Sequence, residues 1–461
     1  MRRSGLAALA LGIGLALAIP GHDAQAETRS LTLPQARLLA RDALRDGQPA
    51  LAYALAQRLL QANPDDVHAL LVIAASAPLL GDAKAGREAG RAAFQAAKTP
   101  GLKFEAALMA ARAAEIEEKY AVAQYWLRRA HQAAERPEHE AAAARVFQSV
   151  RRKSPFSARL SFSYAPSSNL NGGSTAEFLE VDDVVYAAAL SGSARALSGT
   201  RLSFSGALSY DLSRGQDHNT KLGLNFYRSF NSLSEEAEDL APNVEGSDLD
   251  YGVLDLTLTH KLRESAAYLP DEYSLTFGQS WYGGDALEQR LRLGVAKTYD
   301  LGEQSQLRFS LSAENRVSEQ GRADRRVGRI GLQYGHRLAS GDRVTLGLTA
   351  VATDTTEFNY RYTGTQVSLG YAKAEAVGGI RLSGNLAYRE NYYPDYSLGI
   401  IASPDGRTDK RLSATLNAEI EAVSVYGFTP VVTLYGERTN SNYSRFETED
   451  LGLSLGFRSA F

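Results

Sequence analysis

Two hydrophobic periodicities divide the chain. Between residues 34 and 150, Ala and Leu recur with helical spacing, as at Leu51 and Leu55, which is typical of amphipathic helices. From Pro155 onward, apolar and polar residues alternate, as in residues 307–314. A period of two is the pattern of a strand with one apolar face. The sequence therefore predicts a helical half followed by a β half.

Turn signals divide the helical half into pairs of helices. Gly47 and Gly81 lie 34 residues apart, and Pro64, Pro100 and Pro137 follow one another at spacings of 36 and 37. These intervals are close to the ~34-residue period of tetratricopeptide repeats, in which each repeat is a helical hairpin. The predicted helical domain, residues 27–153, therefore resembles about three such repeats and a final helix. An unrelated bundle of helical hairpins is the alternative.

The β half contains long alternating segments. They run for about 10 to 13 residues, whereas strands of soluble proteins average ~5 to 6 and tilted membrane strands have ~9 to 11. Thirteen candidates are 199-211, 219-230, 250-262, 271-282, 287-299, 305-316, 326-338, 342-353, 360-373, 378-390, 408-420, 426-437 and 448-461. Because single-chain bacterial barrels have an even strand number, we expect fourteen, with 157–166 or 180–190 as the first strand.

Aromatic residues favour a membrane barrel over a soluble β-sandwich. Of the 23 tyrosines, 20 lie beyond residue 154, many near predicted strand ends. The chain ends on alternating apolar residues and an aromatic, which resembles the C-terminal assembly signal of outer-membrane barrels: Leu453, Leu455, Phe457 and Phe461. The predicted fold class is thus α plus membrane β, with tetratricopeptide-like helices before a transmembrane antiparallel barrel in residues 154–461.

The N-terminus has the features of a secretory signal peptide in residues 1–26. Arg2 and Arg3 precede an apolar stretch over residues 5–19, and small residues Ala24 and Ala26 precede the expected cleavage point. The apolar stretch is shorter than the ~20 residues of a membrane-spanning helix. We therefore predict export to the outer membrane. Longer connections on one side of the predicted barrel indicate that its termini, and the helical domain, face the periplasm.

Composition and motifs indicate no catalytic chemistry. The net charge of -3 gives no basic excess for nucleic acid, and the absence of cysteine excludes thiolate sites and disulfides. None of the seven histidines lies in a recognisable catalytic or metal-binding motif. The sequence therefore predicts a protein that is not an enzyme and has no cofactor, no metal site and no nucleic-acid partner.

Two groups of residues are candidates for contact with a transported molecule. Charged residues at the polar positions of predicted strands indicate a polar lumen, either water-filled or packed with ion pairs: Arg290, Arg292, Arg308, Glu314, Arg381 and Glu419. Aromatic residues of the helical half could line a groove for a substrate, or could instead form the core between helices: Phe104, Tyr120, Tyr125 and Trp126.

A short motif follows the first predicted strand. After Pro155 and Phe156 the chain continues to Pro166, Ser167, Ser168, Asn169, Leu170 and Asn171. With this motif and its order of signal peptide, helical repeats and barrel, the chain resembles the surface lipoprotein assembly modulator (modifier) family. The resemblance covers the mature chain. Asn169 and Asn171 are typical of turns, where their side chains bond to nearby backbone.

The resemblance implies a translocator that helps particular lipoproteins, or related secreted binding proteins, to cross the outer membrane. The periplasmic repeats would engage the substrate. The implied partners are a surface lipoprotein, the barrel-assembly machinery, periplasmic chaperones and outer-membrane lipid. A polysaccharide-export porin and a passive outer-membrane pore are the alternatives with the same architecture.

Overall fold

The structure, a computed structural model, describes residues 32–423 and 428–459. The predicted signal peptide, residues 1–26, and Phe461 of the C-terminal signal lie outside the described residues. Seven α-helices precede the first strand of the described chain. They are α1 (Leu33–Arg45), α2 (Pro49–Ala62), α3 (Val67–Ser76), α4 (Ala83–Ala96), α5 (Pro100–Ile116), α6 (Tyr120–Ala133) and α7 (Pro137–Lys153).

Local chemistry accounts for where these helices begin. The side chain of Asp66 caps α3 by accepting hydrogen bonds from the backbone N–H groups of His68 and Ala69, at 3.1 and 3.3 Å. It also accepts a bond from Arg37 Nε at 2.8 Å. Proline occupies the first position of α2, α5 and α7, where its missing N–H costs nothing because that donor has no partner within the helix.

Small residues allow the helices to approach closely. Consecutive helices pack through buried alanines, in three apolar clusters. Gly90 of α4 lies against Ala110 of α5, and a Cβ at Gly90 would lie 2.9 Å from both the Cβ and the backbone nitrogen of Ala110. Because such a distance is well inside van der Waals contact, glycine is required at this crossing. No described helix is long and apolar enough to cross a membrane.

Fourteen strands form a closed antiparallel barrel, which confirms the predicted fold class and strand number. They are β1 (Phe156–Ser167), β4 (Gly199–Arg214), β5 (His218–Leu233), β6 (Tyr251–Leu262), β7 (Glu272–Tyr282), β8 (Asp285–Asp300), β9 (Ser305–Ser318), β10 (Arg325–Arg337), β11 (Arg343–Thr355), β12 (Tyr362–Ala372), β13 (Ile380–Tyr393), β16 (Arg407–Ile420), β17 (Phe428–Ser441) and β18 (Thr448–Ser459). Each barrel strand pairs with the preceding barrel strand, and β18 closes onto β1.

The first barrel strand is β1, so residues 157–166 and not 180–190 complete the count. The second segment belongs to a hairpin of β2 (Phe178–Val181) and β3 (Val184–Ala189) within the connection from β1 to β4. Its turn residues Asp182 and Asp183 both have positive φ, at 50° and 63°. A further hairpin, β14 (Ser397–Leu398) and β15 (Ile401–Ala402), lies between β13 and β16.

The helices and the barrel are joined by two residues, Ser154 and Pro155. Arg214, at the end of β4, donates hydrogen bonds to the backbone carbonyls of Arg152 at 2.6 Å and Ser154 at 3.5 Å. These bonds tie the end of α7 to the barrel rim. The helical array is therefore attached to the end of the barrel at which β1 begins and β18 ends.

The close crossing at Gly90 predicts that Gly90→Ala destabilises the helical array. The added methyl group overpacks the α4–α5 contact, which costs about 1–3 kcal/mol, more than the ~1 kcal/mol that alanine gains over glycine in a helix. Gly101→Ala is the matched control, because its Cβ would meet only Glu135 Oε2 at 3.8 Å. Thermal unfolding of the full chain in detergent, followed by helical circular dichroism, measures both variants. Equal stability of the two variants would contradict this account of the crossing.

Candidate functional site

The predicted lumen charges lie on inward positions of the barrel wall. Leu291 and Leu293 of β8 are 49% and 59% exposed on the outer face. Arg290 precedes Leu291, and Arg292 stands between the two leucines. Because side chains alternate along a strand, both arginines point inward. The sequence left open whether the lumen would be water-filled or packed with ion pairs, and in the structure the predicted lumen arginines pair with carboxylates on nearby strands and in a turn.

Glu314 of β9 is the centre of an ion-pair network. Its side chain is 0% exposed and contacts three guanidinium groups, those of Arg292, Arg316 and Arg329, the last at 3.3 Å. Arg316 also pairs with Glu288 at 3.0 Å, and Glu288 in turn contacts Arg325. The network spans β8, β9 and β10, and its four arginines outnumber its two carboxylates. This wall of the lumen is thus polar and positively charged.

Further ion pairs extend the charged wall beyond this network. Arg290 bonds to both oxygens of Asp255 at 2.6 Å, and Arg308 pairs with Glu272 at 2.8 Å. The sequence did not lead us to expect Asp255 and Glu272 among the lumen charges. Asp255 stands between Leu254 and Leu256, which are exposed on the outer face, so the alternation of β6 could have identified it as an inward residue. Near the helical end, Arg381 pairs with Glu421 at 2.5 Å, and Glu419 with Arg458 at 3.7 Å.

The opposite end of the barrel is covered by long connections that pack together. They are residues 168–198, 234–250, 394–406 and 442–447. Tyr443 is fully buried in an apolar cluster of the first, third and fourth of these connections. Its hydroxyl accepts a hydrogen bond from the backbone N–H of Ser403 at 2.7 Å and donates one to the carbonyl of Tyr396 at 3.2 Å. The sequence indicated that the longer connections share one side, but it did not predict this packed cap.

An arginine enclosed by aromatic rings anchors the cap to the barrel. The guanidinium of Arg407 lies 3.8 Å from the ring centre of Tyr393, 4.4 Å from that of Tyr396 and 3.6 Å from that of Phe446. Its charge is balanced by Asp409 at 2.8 Å. A desolvated cation on ring faces is a stabilising arrangement. We assign this cluster a structural role, because its side chains satisfy one another.

The residues of the family motif organise the longest connection. Asn169 accepts a hydrogen bond from Gly173 N at 2.8 Å and donates one to Gly173 O at 2.9 Å. Asn171 accepts from Leu197 N at 3.0 Å and donates to Arg195 O at 2.8 Å. Both amides therefore bond to loop backbone, as their residue type indicates. Pro166 and Ser167 are the last residues of β1, and Ser168 follows them beside the last strand.

The four aromatic residues of the predicted groove do not share one surface. Phe104 and Trp126 are each 8% exposed and belong to the core between helices, where the Phe104 ring stacks on His139 with centroids 4.5 Å apart. Neither ring can contact a substrate unless the helices separate. Tyr125 is 52% exposed and Tyr120 is half-buried. The surface that could meet a substrate is therefore centred on Tyr125.

One ion pair fixes the relative position of α4 and α5. Arg87 Nε donates to Glu117 at 2.5 Å, and Lys119 contacts the same carboxylate. The hydrogen bond from Arg87 lowers the pKa of Glu117, although partial burial opposes the shift. The carboxylate consequently stays charged at neutral pH, and this pair holds the helical surface in one arrangement.

Comparison with solved structures lists proteins that match parts of this chain. The helical region resembles SycD, the type III secretion translocator chaperone of Yersinia enterocolitica, with 20% identity over 26% of this chain and 84% of SycD and a TM-score of 0.24. A BenF-like porin of Pseudomonas fluorescens Pf-5 is 8% identical over 66% of this chain and 99% of the porin, with a TM-score of 0.35. OmpT of Vibrio cholerae is 9% identical over 66% and 97%, with a TM-score of 0.33.

No curated protein matches the chain. The family model of the surface lipoprotein assembly modifier matches residues 272–453. This segment begins at the first residue of β7 and ends within β18, so it lies entirely in the barrel. The match confirms the predicted resemblance to the surface lipoprotein assembly modifier family for this barrel segment. The motif at Pro166–Asn171 lies outside the matched residues.

Proposed function

We propose that this chain is an outer-membrane translocator that delivers particular lipoproteins, or related secreted binding proteins, to the cell surface. The observation that carries the proposal is the family match within a closed fourteen-strand barrel. The family is described by its part in surface lipoprotein assembly. The role requires no catalytic step, since the substrate is moved and not chemically changed.

The connections of the barrel support an orientation with the helical array in the periplasm. Connections at the helical end are mostly short, such as 215–217, 301–304 and 338–342, and the long connections of the cap lie at the other end. Barrels of the outer membrane have short periplasmic turns and longer external loops. The helices are consequently on the side from which a lipoprotein arrives.

The short junction supports a direct transfer from helices to lumen. Only Ser154 and Pro155 separate α7 from β1, and Arg214 ties this junction to the barrel rim. A substrate bound at the surface around Tyr125 would thus be held close to the polar lumen. Periplasmic chaperones deliver the substrate, and the barrel-assembly machinery inserts the chain by its C-terminal strand.

Deletion of residues 27–150 tests the proposal in cells. We expect the surface level of one or two lipoproteins to fall while their total cellular amount is unchanged, because the barrel remains but no longer engages its substrate. Protease treatment of intact cells, followed by mass spectrometry of the released peptides, measures surface lipoproteins in cells with the full chain, the deleted chain or no chain. Quantities of other outer-membrane barrels provide the control for general assembly.

Other outcomes of this experiment identify the competing functions. An unchanged surface lipoprotein profile in cells without the chain contradicts the translocator. Loss of a surface polysaccharide would then identify glycan export. Ion conductance of the purified full chain without any protein substrate would identify a passive pore.

Tyr125→Ala tests the helical surface more finely. An exposed aromatic anchor in an interface contributes about 2 kcal/mol, or ~30-fold in affinity, so we expect a several-fold loss of surface lipoprotein at unchanged total amount. Leu79→Ala is the matched control, because Leu79 is also a large exposed apolar side chain, at 67% exposure compared with 52% for Tyr125. Equal effects of the two substitutions would show that Tyr125 has no particular part in binding.

A further inference from the structure

Backbone pairing between the first and last strands stops halfway. The β1–β18 ladder of the described residues contains four residue pairs, from Ser161 with Arg458 to Tyr164 with Leu455. Both strands continue beyond this point, β1 to Ser167 and β18 back to Thr448, and each remains fully paired with its other neighbour. The next shortest ladder of the barrel, between β12 and β13, contains ten pairs. The seam is therefore weakest in its loop-side half, residues 165–169 and 449–454.

Pro166 explains part of this interruption. Its carbonyl faces β18, because it accepts a hydrogen bond at 3.2 Å from the hydroxyl of Tyr435 on β17. In an antiparallel strand the N–H and C=O of one residue point to the same neighbour, and proline has no N–H to donate. A regular backbone pair cannot form at this position.

A glycine allows the tyrosine to reach across the intervening strand. Tyr435 pairs with Gly452 of β18, and a Cβ at Gly452 would lie 2.3 Å from the Tyr435 hydroxyl oxygen. Only a residue without a side chain leaves room for the ring. A side chain from β17 thus replaces a backbone donor of β18 at the seam.

Asp450 supplies the other bonds across the loop-side half. Its Oδ1 accepts hydrogen bonds from the hydroxyl of Ser167 at 3.1 Å, and from the hydroxyl and backbone N–H of Ser168 at 3.2 and 3.3 Å. Asn169 donates to the carbonyl of Glu449 at 3.4 Å. We call Ser167, Ser168, Tyr435 and Asp450 the seam latch. Three of its bonds converge on a single carboxylate oxygen.

The latch faces the lumen, whereas the outer face of the same segment faces lipid. Leu451 and Leu453 of β18 are 65% and 47% exposed on the outer surface, and residues 450 and 452 have the opposite parity. Polar groups that point into a polar lumen can exchange their partners for water when the strands separate. Paired backbone groups in hydrocarbon have no such replacement. The loop-side half can therefore open at a lower cost than any other part of the barrel wall that the structure describes.

We propose that the loop-side half of the β1–β18 seam is a lateral exit for the acyl chains of a lipoprotein substrate. The inference rests on the proposed function. A lipoprotein carries acyl chains, and the lumen wall around Glu314 is charged, so these chains are not accommodated in the lumen. The seam is the one boundary of the described barrel where lumen and lipid are separated by side-chain bonds. The polypeptide moves through the lumen while its acyl chains pass between β1 and β18.

A disulfide across the latch tests the exit. The chain contains no cysteine, so Ser167→Cys with Asp450→Cys introduces one defined pair. Ser163→Cys with Ser203→Cys is the matched control across the adjacent β1–β4 seam, where the two hydroxyl oxygens are 2.6 Å apart. The probe is the lipoprotein whose surface level depends on the chain, and a soluble form of it in which serine replaces the acylated cysteine. Cells expressing each full-length variant are compared under oxidising and reducing conditions.

We expect the oxidised latch disulfide to abolish surface display of the acylated probe while release of the soluble form continues. Reduction should restore display, which excludes misfolding of the variant. The control disulfide should affect neither form. Normal display of the acylated probe by the oxidised latch variant overturns the exit, and so does equal loss of both forms or an equal effect of the control disulfide. Failure of the unmodified chain to deliver the probe overturns the proposed function itself, and the exit with it.

Discussion

Every backbone amide and carbonyl that enters the hydrocarbon of a membrane has to find its hydrogen-bond partner within the protein, because no water is present there. In this chain a ring of fourteen antiparallel strands meets the requirement except in the loop-side half of the β1–β18 seam, where side-chain bonds replace part of the backbone pairing. The apolar outer face and the charged inner face follow from the same constraint, since alternate side chains of a paired strand point to lipid and to lumen. The position of the helical array follows as well, because α7 ends two residues before the first strand.

Closure is least complete where the chain's first strand meets its last. Each other pair of neighbouring strands is joined by a ladder of ten or more residue pairs, while the described β1–β18 ladder has four. Ser167 and Ser168, at the end of β1, hold the remainder of this seam through Asp450. The cap lies directly beyond it, since Thr175 of the longest connection bonds to the carbonyl of Glu447 at 2.9 Å. The weakest backbone closure of the barrel and its most elaborate loop packing are thus adjacent.

Sequence periodicity predicts the fold well because both halves have regular local patterns. Helix breaks at Gly47 and Gly81 and the alternation in β9 depend on neighbouring residues only. The same local patterns do not decide which segment is the first strand, since residues 180–190 are as apolar as expected for a barrel strand. The turn at Asp182 and Asp183 makes them a short hairpin that packs within the cap.

Features that depend on contacts between distant residues could not be predicted from one sequence. Inward parity identifies Arg292 and Glu314, but their pairing requires the register between β8 and β9. Phe104 and Trp126 resemble surface anchors by residue type, yet packing of α5 against α6 and α7 buries them. Asp450 lies 283 positions from Ser167 in the sequence. Only closure of the barrel brings these two residues together.

Hydrogen–deuterium exchange of the full chain in lipid nanodiscs, resolved to single amides, tests the central claim most directly. Along β18, from Asp450 to Ser454, successive backbone N–H groups point in turn to β17 and to the seam with β1. We predict that the seam-facing amides exchange much faster than their neighbours on the same strand, which are paired with β17, and faster still in Asp450→Ala. Equal, strong protection of both sets would mean that the seam is closed by backbone bonds along its whole length, and would contradict the account.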